Sequence, residues 1–270
     1  MKHLNKSTYT KNNKYLTYIS LFSSAGIGCH GFKQQGFKCI ATNEYLEKRI
    51  KIQKYNDKCE FNTGYIQGDL SSKEVQDKIY KELENNNIDD LDVLIATPPC
   101  QGMSVANHKK NDNEIKRNSL VVESIKIVKE IKPKFFIFEN VRAFLNTFCT
   151  DIDNQDKPIQ ETINLNLCGN YNILFKVINF KDYGSQSSRT RTLVIGVRKD
   201  LINISPEQLF PKEQNAKTLR KLISDLEPLK NMGEICKNDI YHSFRNFDTK
   251  MLAWIENIKE GQSAFDNIEK

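Results

Sequence analysis

The sequence predicts an α/β protein with a doubly wound, largely parallel sheet that closes with an antiparallel element. Two observations predict it. Short β-rich or apolar runs (Tyr15 to Phe22, Cys39 to Glu44, Leu91 to Ala96, Phe135 to Phe138) recur between segments of helical spacing, and several of them stop at small, polar or acidic residues. That is how parallel strands end at the carboxyl edge of a sheet. The later runs Ile173 to Phe180 and Thr192 to Val197 are separated only by the polar turn Lys181 to Arg191, which predicts a closing antiparallel pair.

In chain order, residues 1–14 are rich in Lys, Asn and Thr and read as a loose tail. The first strand runs into the small-residue turn Ser23-Ser24-Ala25-Gly26. Phe32 to Phe37 is expected to form a short helix and turn, Cys39 to Glu44 a strand, and Glu47 to Tyr55 a helix with a basic face. Tyr65 to Gly68 is a third strand end before Asp69, and Lys73 to Glu84 a polar, exposed helix. Leu91 to Ala96 reads as a buried parallel strand halted by Thr97-Pro98-Pro99, which leaves Cys100 on a loop at the sheet edge. The stretch 105–118 has no period and is expected to be a loop. Leu120 to Ile131 resumes helical spacing until Pro133, and Phe135 to Phe138 is a strand that ends at Glu139. Residues 15–200 thus form one domain. Over 201–270 the periodicity weakens, with helices expected at Leu219 to Leu229 and Met251 to Ile258, as if a different unit begins there.

The chain of 270 residues can bury one sizeable core, and 39% hydrophobic with 27% charged residues describe a globular protein. A net charge of +6 leans towards a polyanionic partner without requiring one. Seven Cys, an odd number with no close spacing, suggest neither a disulfide framework nor a metal site, and fit a reducing compartment. With no apolar leader and no run of membrane-spanning length, a cytoplasmic location is expected.

Ligands of open α/β sheets bind beyond the carboxyl ends of the strands, which directs attention to the residues just after each strand. Phe22 to Gly28 is a small-residue loop that permits close backbone approach, although it is not a full G-x-G-x-x-G and by itself is weak evidence. Glu44, roughly 20 residues on, stands where a carboxylate can accept hydrogen bonds from ribose hydroxyls. Asp69 can receive a hydrogen bond from an exocyclic amine or serve as a turn or helix cap. Cys100 follows two stiffening prolines and enters a polar loop, where a thiol can meet a substrate if basic neighbours such as Arg189 or Arg191 depress its pKa. Glu139 ends a strand of Phe and Ile, a costly place for a carboxylate unless it is paired or used; pairing with Arg191 satisfies both. Arg189 and Arg191, two apart at the start of a strand, share one face.

Taken in order, Ser20-Leu21-Phe22-Ser23-Ser24-Ala25-Gly26, Asn43-Glu44, Gly68-Asp69, Thr97-Pro98-Pro99-Cys100-Gln101-Gly102, Phe138-Glu139-Asn140-Val141 and Arg189-Thr190-Arg191 resemble the motif series of DNA cytosine-5 methyltransferases. The resemblance covers Tyr15 to Arg198. It implies a Rossmann-like sheet that binds S-adenosyl-L-methionine through Phe22, Ser23, Ala25, Gly26, Glu44, Asp69, Pro98 and Leu120, with no metal. It further implies that Cys100 adds to C6 of a flipped cytosine in double-stranded DNA, while Glu139 stabilises N3 and Arg189 and Arg191 support the base and the acid. A restriction-modification setting in a bacterial cytoplasm or nucleoid follows from the same likeness. In two places the sequence departs from the family. Gln186 stands one place early in the Gln-x-Arg-x-Arg pattern, and no closing Asn-containing motif follows the start of a target-recognition region at 201–270. The latter leaves open a truncated chain, a partner chain that supplies the missing motifs, or a non-catalytic relative, and a tRNA cytosine-5 methyltransferase is the enzymatic alternative.

Overall fold

The computed structural model describes residues 15–99 and 118–267. The chain divides into two compact units, 1–216 and 217–270. The strands of the first are β1 (Thr17–Leu21), β2 (Lys38–Glu44), β3 (Tyr65–Gln67), β4 (Val93–Ala96), β5 (Phe135–Asn140), β6 (Phe148–Thr150), β7 (Asp156–Pro158), β8 (Tyr171–Asn179) and β9 (Thr190–Arg198). Seven of them form one sheet in the order β3-β2-β1-β4-β5-β9-β8. β1 to β5 are mutually parallel, whereas β9 runs antiparallel to both β5 and β8. The chain winds outward from β1 to β3 and then returns to β4 on the other side of β1, so the strand order reverses between β1 and β4. A crevice opens at such a reversal, beyond the carboxyl ends of the two strands.

Alternation along the central strands sorts their side chains into two faces. Leu94 and Ala96 of β4, with Phe136 and Phe138 of β5, join the larger core. Val93, Ile95, Phe135 and Ile137 turn to a smaller cluster with Tyr18, Cys29, Cys39 and Cys59. Two short helices, α1 (His30–Gln34) and α2 (Glu47–Tyr55), follow β1 and β2. The larger core is covered by α3 (Lys73–Asn85), α4 (Leu120–Ile131) and α5 (Ile159–Leu167). Gly196 of β9 lies opposite Phe136, and a Cβ at that position would stand 1.9 Å from the ring. Only glycine lets the aromatic side chain cross the neighbouring strand there.

Several elements differ from the sequence expectation. α3 is not merely an exposed polar helix: Val75, Ile79 and Leu83 form a buried stripe at i, i+4 and i+8, and Glu82 is buried with them. The numerous charged residues between them hide the stripe from a reading by composition. Glu82 is satisfied by Thr63, whose hydroxyl donates to Oε1 at 2.7 Å. α1 begins a little ahead of the expected Phe32 to Phe37. Between β5 and β8 the chain also folds a small hairpin, β6 with β7, and then α5.

In the second unit, α6 covers only Leu219–Ile223 and α7 covers Thr249–Ile255. Pro228 disfavours helical backbone at Glu227, which helps to keep the expected helix to 229 short. Asp248 caps α7 by accepting from the Met251 N–H at 2.7 Å. Among the described residues of this unit only Cys236 is a buried hydrophobic, in keeping with its weak apolar period. Among all described residues, no helix is long and apolar enough to cross a membrane, and no group of three or more His, Cys, Asp or Glu could hold a metal ion.

Candidate functional site

The loop after β1 takes left-handed backbone at alternate residues: φ is +53° at Phe22, +50° at Ser24 and +87° at Gly26. Such conformations are costly for non-glycine residues and persist only where the surroundings enforce them. Here both neighbouring strands do so. Ser23 N–H donates to the Asn43 carbonyl at 2.9 Å, Ser24 N–H to Glu44 Oε2 at 2.8 Å, and the Thr97 hydroxyl to the Phe22 carbonyl at 2.9 Å. Beneath the loop, Gln53 Nε2 donates to Ser23 Oγ at 2.9 Å, while Gln53 Oε1 is buried with no hydrogen-bond partner among the described residues.

This loop walls a cavity of about 530 Å³ lined by Phe22, Ser24, Asn43, Glu44, Tyr45, Leu46, Arg49, Gly68, Asp69, Leu70, Thr97, Pro99 and Leu120. Its size is that of a small-molecule site, apolar walls with a few placed polar groups. Glu44 is the buried acid of the cavity. Its Oε1 accepts from Leu46 N–H at 3.0 Å and from Arg49 at 3.3 Å, and its Oε2 from Ser24 N–H. A carboxylate offers about four lone-pair sites, so acceptor capacity remains on Oε2 for a ligand hydroxyl. The Arg49 side chain is 43% exposed and its contact is long, so it can yield its place as well. Asp69 uses Oδ1 to accept from both the backbone and the hydroxyl of Ser71, at 2.9 and 2.8 Å, which makes a turn. Ser72, not Asp69, occupies the cap position of α3.

Of the eight residues expected to hold a cofactor, Phe22, Glu44, Asp69 and Leu120 line this cavity together. Ser23, within the loop, is buried, and Ala25 and Gly26 face a separate recess of about 310 Å³. Pro99 lines the cavity, whereas the carbonyl of Pro98 is engaged elsewhere: it accepts from Asn140 Nδ2 at 2.9 Å. Asn140 is buried, and its Oδ1 in turn accepts from Val141 N–H at 2.8 Å. One short amide therefore fastens the end of β5 to the turn after β4. The motif containing Asn140 is plain in the sequence but gives this residue no role; its position directly after Glu139 at a strand end is the signal that would have found it.

Glu139 and Arg191 meet, with Nε donating to Oε1 at 2.9 Å, and their side chains are 30% and 13% exposed. The antiparallel register places Leu193 opposite Glu139, so Arg191 reaches the acid along the diagonal. Burial pushes the Glu139 carboxyl above the ordinary carboxylate value, and the charge of Arg189 opposes this. Arg189 itself is exposed and precedes β9. Cys100 and residues 101–117 after it lie outside the described residues.

A parallel α/β sheet wound about its switch point, with a nucleoside-sized cavity where the order reverses, defines a Rossmann-like S-adenosylmethionine-dependent methyltransferase fold. The family model of C-5 cytosine-specific DNA methylases matches residues 16–270, and the chain belongs to that family. It is 30% identical over 261 residues to the Type II methyltransferase M1.HgaI of Avibacterium volantium, an alignment that covers 94% of this chain and 68% of that protein. With the Type II methyltransferase M.FnuDI of Fusobacterium nucleatum it shares 33% identity over 77% of this chain and 55% of the relative. A crystal structure of a candidate DNA modification methyltransferase encoded within an E. coli prophage superposes with a TM-score of 0.61, at 27% identity, over 81% of this chain and 57% of that one. The chain thus spans between about half and two thirds of the length of these proteins. Membership of the family implies S-adenosyl-L-methionine as cofactor.

Proposed function

We propose that this chain carries the catalytic portion of a DNA cytosine-C5 methyltransferase, with Cys100 as nucleophile and Glu139 as the acid beside it. The observation that carries this is the Glu139–Arg191 pair at 2.9 Å, set on the strand next to β4 and fastened through Asn140 to the turn that leads into Cys100.

C5 of cytosine is a poor nucleophile. Attack of the Cys100 thiolate on C6 breaks the C5–C6 π bond and places its electron pair on C5, in conjugation with N3. Burial raises the Glu139 carboxyl and so favours the form that donates its hydrogen to N3 as charge develops there, and Arg191 fixes the direction of that carboxyl. S-adenosyl-L-methionine supplies the electrophilic methyl group. After C5 is methylated, loss of the C5 proton to a base, return of the N3 proton to Glu139 and departure of the Cys100 thiolate restore the ring. The residues of the larger cavity suit that cofactor: Phe22, Pro99 and Leu120 as apolar walls, Glu44 for ribose hydroxyls and Asp69 for the adenine amine. Because C5 and C6 are stacked inside a duplex, the cytosine is flipped out to react.

The partner in this reading is double-stranded DNA and the setting a bacterial cytoplasm, as suits relatives named Type II methyltransferases. In this reading residues 201–270 begin the target-recognition region, and 217–270 of them form the second compact unit. The test is a denaturation-resistant adduct with duplex DNA containing 5-fluorocytosine, formed with the cofactor present and abolished in Cys100→Ser. An adduct that persists in Cys100→Ser refutes the assignment, and an adduct with RNA alone makes the enzyme a tRNA methyltransferase.

A further inference from the structure

We infer that the recess behind the 22–28 turn is an anion site, in which the buried Lys58 ammonium receives a compact oxyanion, either a carboxylate or a phosphate group. The recess, about 310 Å³, is lined by Gly26, Ile27, His30, Lys33, Asn56 and Lys58 among others, and among the described residues no acidic side chain lines it. Lys58 is only 8% exposed. Its stem packs so closely on Gly26 that a Cβ there would stand 3.0 Å from Lys58 Cδ.

The ammonium has three donors, and its hydrogen-bond partner is a neutral one, Thr42 Oγ1 at 3.0 Å. Among the described residues no carboxylate lies within ion-pair distance of it. A charge this deeply buried is costly unless it is paired, so the fold holds a cation whose counterion must come from elsewhere. Lys33, also on the wall, does not need one: its ammonium is spent on the Asn56 and Asp57 carbonyls at 2.9 and 2.7 Å.

Besides Tyr18, His30 and Lys33, which line the same recess, the thiols of Cys29, Cys39 and Cys59 feel the Lys58 charge. Burial pushes the Cys29 thiol up, and its hydrogen bond with Cys39 together with burial does the same for Cys59, so neither offers a counter-charge. Burial also opposes ionisation of Cys39, but the Cys59 thiol, Lys58 and Tyr18 outweigh it and hold that thiol below its ordinary value. Cys39 is therefore the side chain that competes with an external anion for Lys58.

The site joins the cofactor cavity through side chains. Thr42 Oγ1 lies 2.5 Å from Ser23 Oγ, and Ser23 belongs to the turn whose next residue binds Glu44. Two sources of oxyanion follow: a free ion, or the amino-acid carboxylate of the cofactor itself, the latter resting on the function proposed above.

Calorimetry on the full chain distinguishes them, using wild type, Lys58→Met, and Lys58→Arg as the charge-retaining rescue; Lys58→Gln replaces the Met variant should that one not fold. In one arm, inorganic phosphate is titrated at constant ionic strength. In the other, S-adenosylhomocysteine is compared with methylthioadenosine, which shares the adenosine thioether but lacks the carboxylate. Saturable phosphate binding that Lys58→Met loses and Lys58→Arg keeps identifies a free-anion site. An advantage of S-adenosylhomocysteine of tenfold or more, lost in Lys58→Met, identifies the cofactor carboxylate. If Lys58→Met matches wild type in both arms, as it would were Cys39 the counterion, the inference is overturned. Failure of both S-adenosylhomocysteine and methylthioadenosine to bind would count against the cofactor reading instead, and the phosphate arm still decides the anion site.

Discussion

Asn140→Ala is the substitution most revealing of how the site is held. The amide donates to the Pro98 carbonyl at 2.9 Å, accepts from the Val141 N–H at 2.8 Å, and is 3% exposed. Truncation orphans one buried acceptor and one donor; at about 1–3 kcal/mol for each group left unsatisfied, and with some relief from entering water, the expected loss is about 2–4 kcal/mol. For a unit of this size each kcal/mol moves the melting temperature by about 2–4 °C, which puts the shift at roughly 4–16 °C. Chemistry should suffer further, because a displacement of ~1 Å between the Cys100 turn and Glu139 costs on the order of 100-fold in rate. Asn140→Asp sharpens the test. It keeps an acceptor for Val141 N–H but turns a second acceptor towards the Pro98 carbonyl, so it should be worse for the tie than its shape suggests. Urea denaturation and the rate of adduct formation with 5-fluorocytosine DNA measure the two effects. Stability within about 0.5 kcal/mol of wild type, with an unchanged adduct rate in both variants, would refute the role of this amide.

Other substitutions probe separate parts of the same arrangement. Gly196→Ala drives a methyl group to within 1.9 Å of the Phe136 ring and should cost at least about 3 kcal/mol in denaturant melts, at the upper end of overpacking. Glu44→Gln retains one good acceptor where the carboxylate has two, so either Ser24 or Leu46 loses its partner; affinity for S-adenosylhomocysteine should fall about tenfold or more by calorimetry, since each charged hydrogen bond is worth ~1.5–3 kcal/mol. Burial raises the Glu139 carboxyl, so its protonated, donating form persists above the ordinary carboxylate range and is lost as pH rises through the raised value. The alkaline limb of the pH–rate profile should carry this group, and Glu139→Gln, slower by several orders of magnitude, should lack that limb; an unchanged limb contradicts the assignment. The same shift has a consequence for folding. The native state binds more protons than the unfolded one between the two pKa values, so the Glu139 contribution to stability is present below the unfolded value and declines as pH rises through the native one.

The strands were legible because buried parallel strands are continuous apolar runs, and both Glu47–Tyr55 and Leu120–Ile131 match their expected bounds. What escaped were elements whose apolar stripe is thin. In α5 the buried residues are Ile159, Thr162, Ile163 and Leu167, spaced among polar ones, and β6 and β7 each have three residues, below what alternation can reveal. The candidate site was legible to the level of strand ends, since topology alone sends Glu44, Asp69 and Pro99 to one edge. Its finer division was not. Left-handed backbone at Phe22 and Ser24 cannot be read from residues that rarely adopt it, yet that backbone sets which residues of the turn face which recess.

That strained turn also explains why polar side chains accumulate around it. Ser23, Thr42, Asn43, Gln53 and Glu44 are buried beside a parallel sheet, where apolar residues would stabilise the fold more simply. Each instead holds a backbone group or another side chain of the turn or of β2. The turn can keep two non-glycine residues in left-handed conformation because these bonds leave it no relaxed alternative. Rigidity at this edge is therefore supplied by hydrogen bonds rather than by the hydrophobic core below. Relieving the strain by Ser24→Gly should raise stability by about 1 kcal/mol while leaving the Glu44 contact to the backbone in place. A destabilised Ser24→Gly protein would mean that the Ser24 side chain, not its backbone, is what the site needs.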